Sequence, residues 1–240
     1  MHRRPARGIN LRMTDAEKVE QALSCLPIFP LPGAVLLPQA LVPLHIFEPR
    51  YRKMTRDCIE NLGVLALAQI SPASLQLGED PPRVEPVIGV GVLSQVEALP
   101  DGRFNIAIKG VLRARIVEEL HGGEPYRTVR AIVLHDDPRD GPGDEQRSHA
   151  AAEQLQRLLL ALCSARPGPG AKALAQLMAK AQGPGQLADL IGGALIDGAG
   201  PRQLVLEATS VELRLGRVSE AVVALLARVA TRGEEKQLLN

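Results

Sequence analysis

Aromatic residues are scarce: the 240-residue chain has no tryptophan, two tyrosines and three phenylalanines. Few rings are left for stacking on bases, and the core has to be built from aliphatic side chains. Cysteine is scarce as well. Cys25, Cys58 and Cys163 are odd in number, far apart and without C-x-x-C spacing, which argues against a disulfide framework and a structural zinc site and fits a reducing compartment. An excess of one charge is missing too. With 28 basic and 27 acidic residues, the net charge of +1 creates no global field toward nucleic acid or anionic membranes. No apolar run approaches the roughly 20 residues that cross a bilayer, since Leu155 to Cys163 is short and interrupted by Gln156 and Arg157. The start, Met-His-Arg-Arg-Pro-Ala-Arg, lacks the apolar stretch of a secretory signal. The expectation is a soluble, cytoplasmic protein with no membrane partner.

Catalytic signatures are also missing. None of the six lysines follows a glycine, so a G-x-x-x-x-G-K-[ST] phosphate loop is excluded. No serine sits in G-x-S-x-G, and His2, His45, His121, His135 and His149 never form H-E-x-x-H. Gly89-Val90-Gly91 falls in a strand pattern without a third glycine before a helix, so these glycines read as close-packing sites and not as a dinucleotide fingerprint. His45 and Glu48 have the spacing of a ligand pair but no third ligand, and Cys58 fits a buried helix face. No cofactor, metal or catalytic residue is expected.

What is present is organised in two halves of different periodicity. From residue 25 to 137, apolar residues recur at spacing two. Phe104, Ile106 and Ile108 alternate with polar neighbours, as do Leu112, Ala114 and Ile116, and Val129, Ala131 and Val133 share a third face. Pro100-Asp101-Gly102 has the composition of a turn joining Ile88–Ala98 to Arg103–Lys109 in an antiparallel hairpin. Six prolines between Leu26 and Pro49 confine that stretch to edge or irregular strands wrapped around the sheet. One inserted helix is expected over Glu48–Asn61, where Tyr51, Met54, Cys58 and Leu62 have helical spacing and Gly63 ends the run. Residues 1–24, with Arg3, Arg4, Arg7 and Arg12, are expected to be a disordered basic tail.

Residues 138–145 read as a linker, because turn formers and acidic residues replace apolar ones between Asp136 and Asp144. Residues 146–240 read as helices. Ala151, Leu155, Leu158, Leu159 and Leu162 mark one stripe, Pro167-Gly168-Pro169-Gly170 and Gly183-Pro184-Gly185 break the chain, and Val211, Leu215, Val218, Val222, Leu225 and Val229 mark a long one. These helices carry more apolar surface than they can hide among themselves, so the bundle is expected to pack on the β-half.

Leu26-Pro-Ile-Phe-Pro-Leu-Pro-Gly-Ala-Val-Leu-Leu-Pro38, followed by Leu44-His-Ile-Phe-Glu-Pro-Arg-Tyr-Arg52, closely resembles the opening of the Lon protease N-terminal domain family. Later segments, Leu99-Pro-Asp-Gly-Arg103 and Gly185-Gln-Leu-Ala-Asp-Leu-Ile191 among them, extend the resemblance over about four fifths of the chain. The resemblance implies an α+β fold: a PUA-like, twisted and partly closed β-structure followed by a C-terminal helical bundle. It also implies substrate recognition. With neither the phosphate loop nor the peptidase of Lon, the chain is expected to be a free-standing, non-catalytic module that binds unfolded polypeptide or a protein partner. Phe29, Leu31, Phe47 and Tyr51 are the candidate contact residues, although so few rings are also needed for the core. The alternative is RNA binding through Arg103, Arg113 and Arg115, placed by strand parity on the face opposite the apolar one. Asp101, Glu118 and Glu119 dilute that face, and no aromatic stands on it, which disfavours nucleic acid. An enzyme for a small molecule is the third reading and would need a pocket of convergent polar groups.

Overall fold

The computed structural model describes residues 13–137 and 143–238, with side chains as far as Thr231. The first described element is a helix, α1 (Asp15–Ala22), inside the segment expected to be a tail. The physical reason is a capping box. Thr14 Oγ1 accepts from the Glu17 amide at 3.3 Å, and the Glu17 carboxylate accepts from the Thr14 amide at 2.7 Å. Val19 and Leu23 then bury against the sheet. Arg3, Arg4, Arg7 and Arg12 lie outside the described residues.

Six strands follow: β1 (Leu26–Leu31), β2 (Leu41–Ile46), β3 (Val64–Gln69), β4 (Val87–Ala98), β5 (Phe104–Leu120) and β6 (Thr128–Val133). They form one mixed sheet in the order β2-β5-β4-β3-β1-β6, and a further β5–β6 pairing closes five of them into a ring. The long strand β5 makes this possible. Its first part pairs with β2 and the far end of β4, and its second part pairs with the near end of β4 and with β6. The β4–β5 hairpin turns at Leu99–Arg103, where Gly102 has φ +78° and donates its amide to the Leu99 carbonyl at 2.9 Å.

The prolines are accommodated in two ways. In β2, which pairs only with β5, Ala40 O accepts from Gly110 N. Counting residues from that bond puts the nitrogen of Pro43 on the free edge, where a missing donor discourages pairing with another strand. β1 departs from the expectation of an edge strand, because it lies between β3 and β6. Its prolines stand where no partner strand does: Pro27 faces the β3 side before that pairing begins at Ile28, and Pro30 faces the β6 side after that pairing has ended.

Two helices, not one, interrupt the strands. α2 (Pro49–Glu60) buries Tyr51, Met54 and Cys58, and Gly63, at φ +70°, returns its amide to the Cys58 carbonyl at 2.8 Å. α3 (Pro72–Leu77) is a short turn of helix with proline in its first turn and left-handed Gly78 at its end. A six-residue helix is too short to show periodicity, so only its capping residues signalled it.

The helical half comprises α4 (Asp144–Ala165), α5 (Pro169–Lys180), α6 (Pro184–Leu195), α7 (Ala199–Glu207) and α8 (Val211–Leu238). α4 starts two residues before the expected helical start at residue 146, with Asp144 and Glu145 at the positive end of the helix. Three apolar cores result. One fills the ring (Leu26, Ile28, Ile88, Val90, Ala114), one lies under α2 (Phe29, Leu36, Met54, Leu67, Ile108), and one belongs to the helices but includes Val35, Leu37 and Val87 of the β-half. The Leu36-Leu37 segment bridges them by running close over the sheet. A Cβ at Gly89 would stand 1.8 Å from the Leu36 carbonyl oxygen, and one at Gly110 would stand 2.1 Å from that of Leu37. These glycines exist for close packing.

Candidate functional site

The strand-to-helix junction brings together some of the expected contact residues and separates others. Phe29 and Tyr51 turn inward, with ring centroids 4.2 Å apart and planes tilted by 44°. Two of the chain's few rings are thus committed to the core, as the scarcity of aromatics requires. Leu31, at the end of β1, stays half-buried. Phe47 points outward, 60% exposed, and stacks loosely on His45 at 6.3 Å.

Leu31 and the exposed side of Tyr51 line a cavity of about 260 Å³. Its walls are proline-rich: Pro30 and Pro32 come from β1 and the turn after it, Pro81 and Pro82 from the loop after α3, and Pro125 stands beside Tyr126. Prolines make rigid apolar walls without donors, so the cavity keeps its shape without a secondary-structure scaffold. Four charged residues, Glu48, Arg50, Asp80 and Arg127, also line it. Arg50 lies over the Tyr51 ring at 4.6 Å and pairs with Glu48 at 2.9 Å, while Arg127 donates to the Pro82 carbonyl at 2.8 Å and to both oxygens of Glu119. Burial, opposed by the Arg50 charge, raises the Tyr51 phenol above its ordinary value. Tyr126 is anchored by donating its hydroxyl to Asp57 at 2.7 Å, and Lys53 binds the same carboxylate. Burial works against ionisation of Asp57, but these two donors outweigh it and hold the carboxyl below its ordinary value. The loop prolines and Tyr126 escaped sequence reasoning, because nothing in Pro81-Pro82 or Pro125-Tyr126 indicates which distant strand they face.

The other candidates fall out differently. His45 accepts from Arg103 at Nε2 (3.2 Å) and donates from Nδ1 to the Asn105 side-chain oxygen (2.8 Å), and Glu48 is taken by Arg50, so the two do not form a ligand pair. Among the described residues no group of three or more metal-ligating side chains converges. Cys58 donates to the Val64 carbonyl, and burial pushes its thiol up to about 12, which leaves it protonated at neutral pH.

The three arginines do not share a solvent-exposed surface. Arg103 is exposed and paired with Asp101 at 2.6 Å, and Arg115 is exposed, but Arg113 is buried. The parity argument assumed that the second face of β5 meets water. α6 and α7 cover it instead, and Arg113 donates to Asp189 at 2.6 Å and to the Leu206 carbonyl at 3.0 Å. Arg214, buried in α8, binds Asp136 at 2.8 Å and lies 3.8 Å from Asp189. Burial pushes the Asp189 carboxyl up against the pull of both guanidiniums. The cluster joins the two halves of the molecule and is closed to a macromolecular ligand.

A closed ring of mixed strands with one edge strand, backed by helices and carrying a proline-walled cavity, defines an α+β domain. Residues 25–224 match the model of the ATP-dependent protease La (LON) substrate-binding domain, and the chain belongs to that family. It is 26% identical over 222 residues to the Lon protease of Heliobacterium modesticaldum, covering 90% of this chain and 25% of that protein. It is 30% identical over 200 residues to that of Roseiflexus castenholzii, covering 80% and 23%. The chain therefore spans about a quarter of the length of these relatives. Among solved structures it resembles the N-terminal domain of Mycobacterium avium complex Lon protease (TM-score 0.62, 20% identity, 83% of this chain and 98% of that one). It also resembles the Lon N-terminal domain protein from Xanthomonas campestris (TM-score 0.54, 19% identity, 81% and 96%). Both establish the α+β fold. Among the described residues no helix is long and apolar enough to cross a membrane.

Proposed function

We propose that this chain is a non-catalytic polypeptide-recognition module that holds apolar side chains of an unfolded segment in the proline-walled cavity. The observation that carries this reading is the cavity itself, on a domain whose family is defined by substrate binding. Its size suits one bulky side chain, Leu31 and Tyr51 are in its lining, and of its charged residues Glu48, Arg50 and Arg127 are already paired, which leaves Asp80. Exposed Phe47, next to the lining residue Glu48, extends the apolar contact.

The test is fluorescence anisotropy of a labelled, permanently unfolded peptide with the intact chain. Binding is expected to be weak and to change little between about 50 and 200 mM salt, because few uncompensated charges are available to release counterions. Leu31→Asp and Phe47→Ser should each weaken it severalfold, while Phe47→Ser should shift stability by less than about 0.5 kcal/mol, since the ring is exposed. Steeply salt-dependent binding of a labelled RNA, with no peptide binding, overturns this function and leaves the fold intact.

A further inference from the structure

The helical half contains a larger cleft on another part of the molecule. α5 and α8 each pack on α4 and α6 but barely touch one another. The gap between them holds about 1130 Å³, more than a typical small-molecule pocket of roughly 300 to 1,000 Å³. Its floor includes Leu162 of α4 and Leu195 of α6, and its walls carry Leu174 and Leu177 on one side and Leu225 and Val229 on the other. Each wall pair has the three- or four-residue spacing of one helix face. α5 is correspondingly undercovered: of its twelve residues only Leu174 is buried. Two apolar ridges over an apolar floor form a bundle with one helix position vacant.

Charge identifies what fits there. Arg166 and Arg228 line the cleft, both exposed, and among the described residues neither guanidinium has an ion-pair or hydrogen-bond partner. Asp197 is the single acidic residue of the lining. The chain's own N-terminal segment, with Arg3, Arg4, Arg7 and Arg12, has the wrong sign to sit between them. We propose that the α5–α8 cleft is a docking groove for an amphipathic helix of a partner protein whose apolar stripe is flanked by acidic residues. Such a helix places its i, i+3, i+4 and i+7 side chains between the ridges and its carboxylates beside Arg166 and Arg228. This surface is separate from the proline-walled cavity and does not depend on the function proposed for it.

The probe is a labelled synthetic helix of about 18 residues with leucines at i, i+3, i+4 and i+7 and glutamates on both flanks. A second peptide replaces every glutamate with lysine. Anisotropy with the full chain should show preference for the acidic peptide. Arg166→Glu combined with Arg228→Glu should weaken its binding by roughly twofold to thirtyfold, the range for two exposed ion pairs, and should strengthen binding of the lysine peptide. Both positions are exposed, so the double variant should keep the circular dichroism and thermal midpoint of the parent. Leu31→Asp, in the other cavity, should leave acidic-helix binding unchanged. Absence of binding, equal affinity for the two peptides in both proteins, or sensitivity to Leu31→Asp in place of the arginine reversals overturns the proposal. So does a dimer in sedimentation that the double variant dissociates, because a second copy would then be the occupant.

Discussion

In the β-half, Leu26, Ile28, Ile88 and Val90 are fully buried and the ring between them is filled by Ala66, Ala68 and Ala114, whereas α5 of the helical half leaves Leu177 and Met178 partly open. A sheet that closes on itself through β5 and β6 encloses its inner face with its own hydrogen-bonded strands. Helices have no such closure. Each needs neighbours on every side of its apolar stripe, and five helices backed by one sheet leave the α5–α8 side short of a neighbour. Among the described residues the buried charged side chains, Arg113, Asp189 and Arg214, all lie at the seam between the halves, beside the exposed Asp136.

The contrast is broken most completely by separating the halves. Residues 143–240 expressed alone should not unfold cooperatively, because they lose Val35, Leu37 and Val87 from their core and Arg113 and Asp136 from their charges. Urea denaturation followed by circular dichroism checks this, and a sharp transition matching the intact chain would show the helices to be self-sufficient. A single substitution at the seam comes next. Arg214→Ala removes a buried cation that binds the exposed Asp136 and lies 3.8 Å from Asp189, which keeps Arg113, and should cost about 1.5 to 3 kcal/mol in chemical denaturation.

The smallest effect lies beside the proline-walled cavity. Asp57 is the usual case of a carboxyl whose folded pKa is lowered, so its stabilisation is present above its ordinary 3.8 and is lost as pH falls through the lowered value. Asp57→Asn should therefore destabilise the protein by about 1 to 2 kcal/mol at pH 7, mainly through its bonds to Lys53 and Tyr126, and the gap to the parent should narrow below pH 4. A gap independent of pH would mean that packing, and not the charge, holds Tyr126 against the cavity.

Local patterns made much of this legible. The Tyr51-Met54-Cys58 spacing, the Pro100-Asp101-Gly102 turn and the stripe from Val211 to Val222 each became the element they encode, because side-chain period and turn chemistry act over a few residues. The capping box at Thr14 is equally local, although it directly follows a segment whose basic residues read as a tail. Of the candidate contact residues, sequence reasoning named Leu31 and Tyr51 of the cavity but none of its opposite wall, since that wall comes from loops far along the chain.

Periodicity, proline placement and the missing phosphate loop determined from the sequence alone that a β-rich half precedes a helical one, with no recognisable catalytic motif. Only the tertiary structure decided which faces meet water. Strand parity places Arg113 and Arg115 on the same side of β5, yet α6 and α7 bury the first and leave the second exposed. A residue's facing direction follows from backbone geometry within its own strand, but its burial depends on what the rest of the chain brings against that face, and no local pattern encodes that.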